Sequence, residues 1–151
     1  MTITKQAETG YWIVVASRDH VQRAVEQGIC QVNHGKEAPL KRMRAGDWVV
    51  FYSSKERYDG VGQCRKFTAI GKIKNELVYQ VRMNENFAAF RRSVEFYPSS
   101  EAAIEPLIPL FSFIKNKKSW GYPLRFGLIQ IPRQDFLSIA SRMLPALQEE
   151  A

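Results

Sequence analysis

Cysteine and histidine are scarce in this 151-residue chain, with two of each, and that scarcity bears on metal chemistry first. Cys30 and Cys64 have no CxxC spacing, which fits a reducing compartment and free thiols rather than a disulfide framework. Cys30 and His34 are close enough in sequence to share an ion. No second Cys/His pair completes a tetrahedral site, however, and His20 is the only other histidine; neither a metal nor a cofactor is expected. Long apolar runs are missing too: none approaches the ~20 residues of a membrane span. The opening MTITKQAETG lacks the apolar block of a signal peptide, so a soluble, cytoplasmic protein with no membrane partner is expected. GxSxG, HExxH, the P-loop and GxGxxG do not occur, and nothing supports acyl transfer, zinc proteolysis or nucleotide hydrolysis. Internal repeats, linkers and low-complexity stretches are also lacking. With 45% hydrophobic and 25% charged residues, the composition is that of a globular domain, expected to span 1–151 with a core over about 11–147.

Positive charge is what the chain has in excess, at a formal +7. Between Lys36 and Arg92 lie 13 of the 22 Lys+Arg but only six of the 15 Asp+Glu, so the whole excess falls in the middle of the chain. A local excess of this kind attracts a phosphate backbone, whose neutralisation dominates nucleic-acid affinity; solubility accounts for it as well.

The centre of that segment is Asn33 to Lys55, NHGKEAPLKRMRAGDWVVFYSSK. A loop with His34, Gly35 and Lys36 precedes a basic run, a turn at Gly46-Asp47 and the apolar strand from Trp48, with Lys55 just past its end. Gly35 lets a backbone approach closely. Cationic and imidazole groups on both flanks of one strand suit a pocket for an anionic or planar polar ligand; a solvated basic loop is the competing reading.

Upstream, YWIVVA (11–16) reads as a buried strand. Ser17 is placed to cap a helix over Arg18 to Gln27, stopped by Gly28, which sets Ser17 and His20 at the strand's carboxyl end. Capping and contact with an anion or base edge are both open to Ser17. Ile29 to Val32 follows as a short extended segment, and Pro39 is expected to break any helix. Downstream, CRKFTAIGKI is a strand with a bulge or bend expected near Gly71, and Asn75-Glu76 reads as a hairpin turn into LVYQVRM. Ala89 to Phe96 is a further strand on which Arg91 and Arg92 point to opposite faces. The prolines of 98–123 predict short helical turns. Trp120 stands in the basic loop KNKKSWGYP, either as a stacking surface for a base or as a lid on the core. LRFGLIQI is the last strand, and Pro132 opens a helix with Phe136, Ile139, Ala140, Met143 and Leu147 on one face. Ser17, His20, His34, Lys36 and Lys55 are candidate acid or base groups, but no carboxylate pairs with a histidine at a recognisable spacing.

Read together, YWIVVASRDHV, HGKEAPLKRMRAGDWVVFYSSK, GQCRKFTAIGKI and FIKNKKSWGYPLRFGLIQIPRQDF closely resemble the EVE domain family, a PUA-like branch similar to the YTH and ASCH domains. The resemblance runs from about Tyr11 to Met143; it departs at Ser54, where the family often has proline. It implies an α+β fold, a PUA-like β-barrel of mostly antiparallel strands flanked by short helices. It further implies a non-catalytic module that binds DNA or RNA carrying a modified base. The residues carried over for the basic cleft are Ser17, His20, His34, Gly35, Lys36, Tyr52, Ser53, Lys55, Trp120 and Arg125. Two other functions compete. An ASCH-like amidohydrolase acting on an acylated nucleoside needs a lysine, a hydroxyl and a carboxylate in one pocket, and a protein-interaction barrel needs none of them.

Overall fold

The structure, a computed structural model, describes residues 8–144. Its central pair is β1 (Tyr11–Val15) and β3 (Trp48–Lys55), which run parallel with Ile13 opposite Val50. Both segments are β-branched and aromatic and are buried on both faces, as parallel strands usually are. The crossover between them holds α1 (Arg18–Gln27), β2 (Ile29–Cys30) and α2 (Glu37–Leu40). All other ladders are antiparallel. β4 (Gln63–Asn84) pairs with β3, β5 (Phe87–Phe96) with β4 and β2 with β5. β6 (Ala102–Ala103) adds to β4, and β7 (Leu128–Gln130) adds to β1. The order β2-β5-β4-β3-β1-β7 describes a curled mixed sheet, a half-barrel with short helices. The α+β class and the mostly antiparallel strands flanked by short helices are therefore as expected.

Side chains alternate across each strand, and this divides the interior in two. Ile13, Val50 and Tyr52 join Phe67, Phe111 and Phe136 in one core, covered by the turns after Ile104 and by α3 (Arg133–Met143). Trp12, Val14, Val49 and Phe51 join Val21 of α1, Leu40 and Met43 in the other. Buried charges tie the loops to this frame. Asp47 accepts from the Gly10 amide, Trp12 Nε1 and the Arg44 amide at 2.8–2.9 Å, which locks the Gly46-Asp47 turn to the start of β1. Arg92 is 1% exposed and donates to the carbonyls of Leu40, Met43 and Asn75 at 2.6–2.7 Å.

Several boundaries differ from the sequence reading. Asn75-Glu76 is no hairpin turn: β4 runs on to Asn84, and its register against β5 jumps between Ile73 and Val78. The polar pair forms a bulge there, its Asn75 carbonyl held by Arg92 and the Glu76 carboxylate accepting from the Ala45 amide at 2.9 Å. Gly71 is not the irregular position, since the register shifts between β3 and β4 fall between Phe51 and Tyr52 and between Ser53 and Lys55. Gly71 instead admits β5, because a Cβ there would lie 2.5 Å from the Glu95 carbonyl oxygen. Pro39 sits inside α2, in a first turn whose amides need no helical partner. The expected last strand shrinks to three residues because Pro123–Arg125 forms a 3-10 turn and Gly127, at φ +80°, redirects the chain. Short turns at Glu105–Leu110 and Lys117–Ser119 match the proline-rich reading. Leu147 lies outside the described residues. Among the described residues no helix is long and apolar enough to cross a membrane.

Candidate functional site

α1 begins one residue after Ser17 and ends at Gly28, which takes φ +67° as a left-handed stop. Ser17 occupies the N-cap position, yet its hydroxyl donates to the Asp19 carboxylate at 2.5 Å rather than accepting from a helix amide. Asp19 collects more donors, from the His20 amide at 2.8 Å and the Tyr58 amide at 3.2 Å. Burial alone raises the Asp19 pKa, but these hydrogen bonds outweigh it and hold the carboxyl below its ordinary value. Asp19 thereby pins the loop after β3 against the start of α1. His20 stacks on Tyr58 with ring centroids 4.8 Å apart and 17° between planes, and Lys55 donates to the Tyr58 carbonyl at 2.6 Å. Ser17, His20 and Lys55 are thus brought together at the carboxyl ends of β1 and β3.

Beside this cluster, under α1, lies a cavity of about 200 Å³. Ala16, Val21, Ala24 and Phe51 line its inner side, and Ile29 and Gln31 lead out from β2. Met83 and Arg91 enter from the β4–β5 hairpin, while His20 and Arg23 stand at its α1 side. The polar groups converge. Arg91 Nε donates to Gln31 Oε1 at 3.0 Å, and Arg91 Nη2 reaches the Met83 sulfur at 3.5 Å. Of the two adjacent arginines, Arg91 faces this cavity and Arg92 the interior, as strand alternation requires. No lysine and no carboxylate lines it.

The His34 loop sits next to β2. Asn33, His34 and Gly35 take φ of +47°, +60° and +81° in succession, a run of left-handed residues that only glycine and, less readily, asparagine adopt without strain. Strain of this kind collects at functional sites. His34 and Lys36 are exposed. Gly35 is buried, and its close approach is to β5, since an added Cβ would lie 2.7 Å from that of Ala89. The Asn33 side chain covers Gly127, where a Cβ would come within 2.1 Å of Asn33 Oδ1. A larger, more open groove of about 710 Å³ starts from Asn33 and runs along β7 past Arg42, Tyr122 and Phe126.

The remaining sequence-derived residues do not join them. Tyr52 is 2% exposed, its ring 5.4 Å from that of Phe67, and burial pushes its phenol up to about 12. Ser53 is fully buried and shares a 2.9 Å hydrogen bond with Thr68 Oγ1. Trp120 packs, half-buried, on the core that contains Tyr52, with the Arg65 guanidinium 5.9 Å from its ring centroid. That core lies across the sheet from Phe51 and the cavity under α1. Arg125 is exposed beside Tyr122, 5.7 Å from the ring centroid. One cleft holding all ten residues is therefore not what the fold builds. Gln31, Met83 and Phe51 line the cavity and are not among the sequence-derived residues. The alternation in LVYQVRM and the opposed Arg91 and Arg92 were the available signals for the hairpin wall; nothing local marked Gln31.

A family model described as the EVE domain matches residues 10–142. A UPF0310 protein encoded in the gntR 5′ region of Bacillus licheniformis is 46% identical over 128 residues, 85% of this chain and 87% of the relative. Among solved structures, a hypothetical protein from Leishmania major aligns over 95% of this chain and 97% of its own at 13% identity, with a TM-score of 0.57. Human THYN1, solved in complex with DNA containing 5-methylcytosine, aligns over 88% and 96% at 14% identity, with a TM-score of 0.49.

Proposed function

The chain belongs to the EVE domain family, and we propose that it is a non-catalytic nucleic-acid-binding module that takes one modified base of DNA or RNA into the cavity under α1. The carrying observation is the Arg91 and Gln31 pair, held at 3.0 Å on the wall of a cavity of about 200 Å³ that both polar and apolar side chains line. Drug-sized ligands fill roughly 300–1,000 Å³; this space is of the order of one heteroaromatic ring. The Gln31 amide and the Arg91 guanidinium offer donors, and the Gln31 oxygen an acceptor, to the hydrogen-bonding edge of a base. Val21, Ile29 and Met83 offer apolar surface to a methyl or similar substituent. A base that leaves its stack loses a few kcal/mol. His20 and Tyr58, stacked on each other with Tyr58 51% exposed, give aromatic surface at the mouth, where stacking returns roughly 1–3 kcal/mol. Exposed Lys36 and the half-buried Lys55 suit phosphate contacts, which position a strand without specifying it.

The test is equilibrium binding of short strands that differ only in methylation, hydroxymethylation or acetylation of one base, at two salt concentrations. Affinity should fall with salt for every strand, and Gln31→Ala should erase most of the preference for the modified base, a loss of about tenfold for roughly 1.4 kcal/mol. A preference left intact by Gln31→Ala, or affinity indifferent to salt, would remove this reading.

A further inference from the structure

We infer that the groove along β7 is a second binding element, a stacking track for the unmodified nucleotides that flank the captured base. The inference rests on the base-pocket reading and adds the path of the strand. Tyr122 and Phe126 are 57% and 56% exposed, and their rings meet edge to face at 5.6 Å. They share the groove with proline and aliphatic side chains and with Asn33, Arg42 and Gln130, and exposed aromatics on such a surface are ones that a folded chain usually covers. Each ring face is wide enough for one base, and stacking on it tolerates any sequence.

The charge of the groove selects the occupant. Arg42 lines it and Arg125 stands over Tyr122, while no aspartate or glutamate lines it. An anionic chain with planar apolar groups matches both properties; a plain apolar peptide matches one.

The groove also lies close to the cavity under α1. Gln31 lines the cavity and Asn33, where the left-handed turn begins, lines the groove, two residues and at most about 7 Å of chain apart. On the opposite side, Ala16 lines the cavity while the preceding Val15 donates to the Gly127 carbonyl at 2.9 Å, next to Phe126. A strand whose modified base enters under α1 meets the Asn33 and Gly127 contact next, and the Tyr122 and Phe126 rings after it.

The experiment measures fluorescence anisotropy with the full chain and strands of one, two, four and eight nucleotides, each carrying the same modified base at one end. Wild-type affinity should climb with length until the track is filled, by about 5- to 150-fold for each stacked base. Tyr122→Ala/Phe126→Ala should lose that climb while keeping the affinity for the single modified nucleotide. Both residues are more than half exposed, so an unchanged melting temperature is expected and checks the fold. Arg125→Gln, which leaves the rings in place, should lower the salt slope by roughly one for the longer strands only. A climb with length that survives in the double variant overturns the track and leaves the base pocket standing. Wild-type protein with no preference for the modified base at any length removes the pocket reading, and the track with it.

Discussion

Trp120→Ala separates the two readings of the most conspicuous aromatic in the chain. Deleting a fully buried Trp or Phe side chain costs about 3–5 kcal/mol; Trp120 is half-buried against the core of Ile13, Tyr52 and Phe111, which scales that cost to about 2 kcal/mol. The Arg65 guanidinium 5.9 Å from its centroid adds about 0.5–1 kcal/mol at such an exposure. The expected loss is therefore about 2–3 kcal/mol, which for a domain of this size lowers Tm by roughly 5–10 °C. Because Trp120 lies across the sheet from Phe51 and Gln31, the ratio of affinities for modified and unmodified strands should stay at its wild-type value. Urea and thermal unfolding give the first quantity, and paired binding titrations of the folded variant give the second. An unchanged Tm together with a collapsed ratio would refute the placement and return Trp120 to the reading wall.

Two further outcomes follow from the buried groups. Arg92→Met leaves the carbonyls of Leu40, Met43 and Asn75 without their donor and should cost about 3–5 kcal/mol in urea unfolding; a cost under about 1 kcal/mol would mean that water or a neighbour replaces the guanidinium. In thiol titration at pH 8, native protein should react at Cys64 alone. Cys30 is fully buried, and burial pushes its thiol up to about 12, so its reaction should follow global unfolding; two thiols modified at one rate would contradict the packing of β2.

What the sequence revealed tracks how far apart the determining groups lie along the chain. α1 is local: the Val21 spacing and the left-handed stop at Gly28 specify it within a dozen residues, and the observed bounds coincide with the expected ones although the Ser17 side chain does not cap it. The opposed faces of Arg91 and Arg92 follow from strand period alone. Asn75-Glu76 is the instructive failure. Its turn-forming residues do leave the ladder, but the group that decides between a turn and a bulge is Arg92, 17 residues away, whose guanidinium captures the Asn75 carbonyl and lets β4 continue past it. The residues carried over for the cleft are separated for a related reason. Tyr52, Ser53 and Lys55 are neighbours in sequence, yet alternation sends Tyr52 into one core while Lys55 ends beside His20. Trp120 is assigned its face by the turns between Glu105 and Arg125, which no short motif announces.

The proposed base pocket is the extreme case, since Gln31 and Arg91 stand 60 residues apart. They meet because β5 runs between β2 and β4 in the sheet, with Cys30 opposite Arg92. This register sets Arg92 inward and Arg91 outward, directly beside the residue that follows β2. A one-residue slip of β5 against its neighbours would exchange those faces and take the Arg92 guanidinium away from the carbonyls of Leu40, Met43 and Asn75. The buried Arg92 contacts therefore hold the register on which the half-buried Arg91 and Gln31 pair depends. The stability of the fold and the chemistry of the pocket rest on the same adjacent pair of arginines, one for each face of β5.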